Sequence, residues 1–149
     1  MECRYLAPGE IILARSIFGE AIDYSKVHLF RGKWWPFQPR NAAMAPDGNI
    51  YFHPHAGGWS EDFSKEESLS RQGFFIHEMT HVWQAQRGGP LYLPLMRHPF
   101  CRYSYTLKPG KPFRRYGLEQ QAEIVRHHFL ASHGAHIPVV PPRDLIRFD

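Results

Sequence analysis

The spacing of hydrophobic positions changes along the chain, and each change marks an expected element. Between residues 10 and 57 short apolar runs alternate with turn signals. Ile11-Ile12-Leu13 leads towards Gly19, Val27-His28-Leu29-Phe30 ends at Arg31-Gly32, and Met44 to Phe52 is broken by Pro46-Asp47-Gly48. Runs of this length, bounded by Gly, Pro and Asp, predict short strands in a small antiparallel sheet. The Trp34-Trp35-Pro36-Phe37 cluster has no periodicity; its aromatic bulk is assigned to the core, with the lining of a cleft as the alternative.

Further on the period becomes helical. Phe75, Ile76, Met79, Val82 and Trp83 form one apolar arc, while His77 and His81 lie one turn apart on a different face. Ser64-Lys65-Glu66-Glu67 has the form of a capping box, and a later start near Leu69 is equally compatible with Ser68, Ser70 and Gly73. Gly88-Gly89-Pro90 ends the helix. Residues 88–117 follow neither period and carry Pro90, Pro94, Pro99, Pro109 and Pro112; an excursion this long in a small domain usually serves function. Leu118, Ala122, Val125 and Phe129 then give the stripe of a second helix over Leu118 to Ser132, stopped by Gly134, before an extended tail.

Composition sets bounds on this picture. At 149 residues, with 43% hydrophobic and 21% charged positions, the chain is expected to be one α+β domain over 1–149, long enough to bury a core. No apolar run reaches the roughly 18 residues of a membrane span, and the start lacks the layout of a secretory signal, so synthesis in the cytoplasm is expected. Cys3 and Cys101 are too few for a disulfide framework; two buried thiols are expected, with a single disulfide as the alternative. The net charge of +4 is uneven, because Arg87 to Leu118 holds seven Lys or Arg and no acid, leaving about −3 for the rest. That basic stretch is either a solvated loop or an attractive rim for an acidic partner. Nucleic acid is not expected, since no recognition motif accompanies the charge.

The candidate chemistry lies in FFIHEMTHVWQ, residues 74–84. With ten histidines in the chain, random order would produce an H-E-x-x-H match roughly 0.04 times, so its surroundings must add weight. They do. On a helix, His77 and His81 at i, i+4 can supply two imidazole ligands to one Zn²⁺, and Glu78, about 100° around from His77, can act as the base that takes a proton from water. A third ligand must come from elsewhere. Glu119 and Glu123, one turn apart on the second helix, offer two carboxylates: one to bind metal, the other to accept from the outer nitrogen of a ligating histidine. His127 is a rival third ligand.

H-E-x-x-H followed by E-x-x-A-E on a later helix resembles the gluzincin branch of zinc metallopeptidases. The chain lacks the H-x-x-G-x-x-H extension of metzincins. GEIILARSIFGEAIDYSKVHL, WWPFQPRNAAMAPDGNIYFHP, FFIHEMTHVWQ and EQQAEIV, spanning about Glu10 to Phe129, are together similar to metallopeptidase-like domains attached to VgrG spike proteins of type VI secretion and to stand-alone Vgr-related proteins. The resemblance implies a zincin-like fold with Glu119 as third ligand and Glu123 outside it. It also implies an antibacterial effector that hydrolyses peptide bonds in a target cell, often in its periplasm, with a spike component and an immunity protein as partners. The chain differs in starting at Met1 without a spike domain.

Further candidates flank this group. His53 and His55 follow the expected strand at Ile50 to Phe52 and would lie where an extended substrate runs. Tyr105 and Tyr116, with Tyr103, could donate to a developing oxyanion. Two rival readings stay open at this level: a catalytically silent zincin-fold binding module, and a zinc amidase acting on the cell wall.

Overall fold

The computed structural model describes residues 1–40, 43–89 and 102–149. Among these are three helices and a three-stranded sheet: β1 (Glu2–Tyr5), α1 (Pro8–Phe18), β2 (His28–Arg31), β3 (Ile50–Phe52), α2 (Leu69–Gly88) and α3 (Leu118–Ser132). The molecule is a small α+β domain.

The sheet is mixed, which corrects the expectation of an antiparallel one. Its order is β1-β2-β3; Glu2 to Tyr5 run antiparallel to His28 to Arg31, whereas Leu29, Phe30 and Arg31 pair in parallel with Ile50, Tyr51 and Phe52. The long connection 32–49 lets the chain return to the starting end of β2, as a parallel neighbour requires. The turn at Pro46-Asp47-Gly48 is spent on a local antiparallel bridge between Met44 and Tyr51.

Ile11 to Leu13 belong to a helix, not a strand. Pro8 opens α1 with a dihedral already helical, and Glu10 reaches back to accept from the Ala7 N–H at 2.8 Å. The buried positions are Glu10, Ala14, Ile17 and Phe18, a helical spacing, and Ile12 is exposed. Glu10 itself is buried. It accepts from Arg4 Nη1 and Nη2 at 2.7 and 2.9 Å and from the Phe63 N–H at 2.9 Å, so one carboxylate ties β1, α1 and the segment before α2 together.

The aromatic cluster at 34–37 also departs from expectation: Trp34, Trp35 and Phe37 are exposed. Gln38 turns inward instead, donating from Nε2 to the Tyr51 carbonyl at 2.9 Å and accepting the Trp34 N–H at its Oε1. Cys3 is exposed on β1, unlike the expected buried thiol, and Cys101 lies outside the described residues. So do Pro90, Pro94 and Pro99 of the long loop. The tail is not merely extended. Phe148 packs against Phe18 and Trp83, with ring centroids 4.9 and 5.1 Å away, and its carbonyl accepts from Trp83 Nε1. Among the described residues no helix is long and apolar enough to cross a membrane.

Helix α2 begins at the later of the two expected starts, with Ser68 Oγ accepting from the Arg71 N–H, and ends where Gly89 takes a positive φ. Every residue from Phe75 to Ala85 is buried, because α3 covers the histidine face while Phe75, Ile76, Met79, Val82 and Trp83 join the same buried core as Ala14, Leu29 and Ile50. Gly73 permits that second contact. A Cβ there would lie 2.8 Å from Leu130 Cδ2 and 3.2 Å from its Cγ, one turn before His77 on the same face. Gly73→Val is therefore expected to cost about 1–3 kcal/mol by overpacking this crossing. The loss should appear as a lower urea midpoint at unchanged slope. A midpoint equal to the parent's would show the interhelical gap to be slack.

Candidate metal centre

His77 and His81 project from the middle of α2 towards Glu119, in the first turn of α3. All three are buried, and one ligand atom from each falls within 4.8 Å of the others. His77 Nε2 is 3.3 Å from Glu119 Oε2, and His81 Nε2 is 2.8 Å from Glu119 Oε1. Donors around a tetrahedral metal with bonds of about 2.0–2.2 Å would sit roughly 3.3–3.5 Å apart, so the spacing suits one shared ion.

The outer nitrogens decide the protonation of each ring. Gln84 Nε2 donates to the Leu118 carbonyl and to Gln121 Oε1, while Gln121 Nε2 donates to the Tyr116 carbonyl. These backbone anchors leave Gln84 Oε1 facing His81 Nδ1 at 2.8 Å, and an amide oxygen only accepts. Nδ1 of His81 therefore carries the hydrogen, and its Nε2 in the neutral ring is a lone pair. That lone pair is buried and makes no well-formed hydrogen bond, although the Glu119 carboxylate is at contact distance. A positive charge, either a proton on Nε2 or a shared metal ion, relieves this contact, and two imidazole nitrogens with one carboxylate are a donor set that fits a metal ion.

His77 is built the same way. Its Nδ1 lies 3.1 Å from Glu123 Oε2, leaving Nε2 to face Glu119. Burial alone would depress the His77 pKa, but the carboxylates of Glu119 and Glu123, with the charge of Glu78 nearby, push it up to about 10. Glu123 is correspondingly held down to about 2: burial raises it, and its bonds to His77 and Arg126 more than offset that. Glu78 is buried on α2 beside these groups. The Tyr103 ring lies nearly parallel to His77, with centroids 6.0 Å apart, at the exposed edge of the centre.

Other candidate residues sit elsewhere. His127 is not in the metal group; its two nitrogens face Arg126 and the Tyr105 hydroxyl. Tyr116 is buried, its hydroxyl accepting the Lys108 N–H and its ring lying under Lys111 Nζ. His53 uses Nδ1 to accept the His55 N–H and lines a cavity of about 260 Å³ with Arg40, Phe52 and Phe74; His55 is exposed. Arg114 and Arg115 are exposed on a short turn. Gln84 and Arg126 join the site without being among the candidates the motifs mark. Both stand three residues after a group they hold, His81 and Glu123, and this i, i+3 spacing was the available signal.

No protein-family model matches the chain. The type VI secretion system spike protein VgrG2b of Pseudomonas aeruginosa is 47% identical over 133 residues, an alignment that takes in 85% of this chain but only 13% of that protein. The solved effector domain of Pseudomonas aeruginosa VgrG2b superposes with a TM-score of 0.76 at 44% identity, covering 88% of this chain and 75% of that one. Identity at this level over most of a domain, with the same fold, establishes common descent: the chain is a homologue of the VgrG2b effector domain of type VI secretion.

Proposed function

We propose that this chain is a zinc-dependent metallopeptidase that acts as an antibacterial effector of type VI secretion, hydrolysing peptide bonds in the periplasm of a target cell. The observation that carries the enzymatic part is the buried convergence of His77 Nε2, His81 Nε2 and Glu119, with both Nδ1 atoms engaged from outside. Two imidazoles and one carboxylate form a donor set used by catalytic zinc, which keeps a further position for water or substrate. When bound, zinc supplies the Lewis acidity that activates water near neutral pH.

The remaining steps fall to side chains of this chain. The Glu78 carboxylate takes the proton of the attacking water and returns it to the departing amine. Glu123 and Gln84 hold His77 and His81 with Nδ1 protonated, so that both Nε2 lone pairs stay aimed at one point. Tyr103, stacked on His77, restrains the plane of that ligand ring. The effector role follows from homology with VgrG2b, and a spike component and an immunity protein are the partners this role entails. This chain corresponds to a small part of VgrG2b, so the delivery route is part of the proposal.

Zinc reconstitution followed by digestion of a mixed peptide library tests the reading. About one zinc per chain and defined cleavages are expected, with cleavage lost on chelation and restored by zinc. Zinc below roughly a tenth of an equivalent overturns the metal centre. A fully loaded protein that cuts nothing in the library overturns the peptidase.

A further inference from the structure

Outside the metal group α3 carries a second set of polar side chains in continuous contact. Arg126 donates from Nε to Glu123 Oε2 at 2.5 Å and from Nη2 to Glu123 Oε1 at 3.1 Å, a two-pronged grip on the carboxylate that faces His77 Nδ1. The same Nη2 lies 3.1 Å from His127 Nε2, and His127 Nδ1 lies 2.6 Å from the Tyr105 hydroxyl. Each link is within hydrogen-bond distance, so the chain runs unbroken from His77 through Glu123, Arg126 and His127 to Tyr105.

Its polarity follows from donor chemistry. A guanidinium only donates, so His127 Nε2 must accept and be unprotonated. A neutral imidazole then carries its hydrogen on Nδ1, and Nδ1–H donates to the Tyr105 oxygen. Burial, and then the charge of Arg126, hold the His127 pKa below its usual value, in keeping with a neutral ring. The Tyr105 hydroxyl hydrogen is thereby released from His127, and it has no acceptor among the described residues. Burial raises the Tyr105 pKa to about 12, so that hydrogen stays on the oxygen. Tyr103, two residues earlier, stacks on His77, which places the segment bearing Tyr105 along the rim of the metal centre.

We infer that Arg126 is a positioning residue that sets the direction of this entire chain: on one side it holds Glu123 as the fixed acceptor for His77, and on the other it forces His127 into the Nδ1–H form that leaves Tyr105 a free donor at the rim of the site. The inference rests on the metal-centre reading, but not on turnover. A packing role for Arg126 would stabilise α3 without determining which His127 nitrogen bears hydrogen; a donor-only guanidinium determines it.

The test uses the full chain, zinc as the metal, and Arg126→Met, which keeps the apolar stem and removes all donors. Two readouts apply: zinc affinity by chelator competition, and the His127 tautomer from imidazole ¹⁵N shifts. Arg126→Met is expected to bind zinc about tenfold more weakly, the lower end of the usual cost of losing outer support. It should also move the His127 hydrogen from Nδ1 towards Nε2, with Tyr105 becoming the donor. Arg126→Lys keeps a donor but not the fork, and should restore one readout in part without restoring both. Zinc affinity within about twofold of the parent in Arg126→Met overturns the inference, as does a His127 hydrogen that remains on Nδ1. Should the parent hold zinc but hydrolyse nothing, the peptidase proposal fails while both readouts keep their meaning.

Discussion

Glu78→Gln is expected to retain about one zinc per chain while losing hydrolysis, or toxicity in a target cell, by at least roughly 10²-fold, the lower range for removal of a general base. The substitution is nearly isosteric, and Glu78 is not one of the three converging groups, so the metal donors remain as they are. What changes is proton affinity. An amide oxygen accepts a hydrogen bond from water but cannot take its proton, so water would have to attack without a base. The residue is buried, which makes a charge-neutral replacement tolerable to the fold and lets loss of chemistry be read apart from unfolding. Parallel measurements of zinc content, thermal unfolding and peptide cleavage decide the matter. Undiminished cleavage by a folded, zinc-loaded Glu78→Gln protein would place the base elsewhere. A parent as inactive as the variant would favour the silent binding module.

How far the site could be read beforehand depended on whether its determinants were local. His77, Glu78 and His81 are fixed by one helix, and their shared face follows from 3.6 residues per turn, so spacing alone was enough to group them. The second helix was legible to its ends, Leu118 and Ser132, because its apolar stripe is regular and Gly134 supplies a positive φ. The strand expected at Ile11 to Leu13 failed for an instructive reason: three adjacent aliphatic residues fit either period, and the deciding position was Glu10, buried through its bonds to Arg4, Ala7 and Phe63. The helical arc closes only when this buried polar residue is counted with Ala14, Ile17 and Phe18. Trp34, Trp35 and Phe37 depart in the opposite sense, since apolar character does not guarantee burial and Gln38 fills the inward position instead. The direction of β3 could not be read locally, because it is set by the path of residues 32–49. Nor could the Arg126–His127–Tyr105 contacts, in which Tyr105 and His127 meet across 22 residues of sequence only after α3 is docked.

Glu119→Ala is expected to abolish zinc retention, whereas Glu123→Ala should weaken it by roughly 10 to 100-fold, or about 1.4–2.7 kcal/mol. The two glutamates are one turn apart on the same helix, and sequence spacing lets either reach a metal. The contacts separate them. Glu119 offers one oxygen towards each Nε2, at 3.3 Å from His77 and 2.8 Å from His81, and is buried; Glu123 meets only the outer nitrogen of His77 and is itself held by Arg126. Removing Glu119 leaves two imidazoles without the anion between them, and among the described residues no other carboxylate joins the group. Removing Glu123 leaves three donors in place but frees the His77 ring to rotate or to carry its hydrogen on Nε2, a fault that costs affinity without deleting a ligand. Zinc titration of both variants at one pH distinguishes the roles. If Glu123→Ala fails to hold zinc while Glu119→Ala succeeds, the assignments must be exchanged. If both bind like the parent, His127 is no refuge for the missing ligand, because its nitrogens are engaged by Arg126 and Tyr105. That outcome would overturn Glu119 as a ligand and leave His77 and His81 to hold zinc with a donor outside this group.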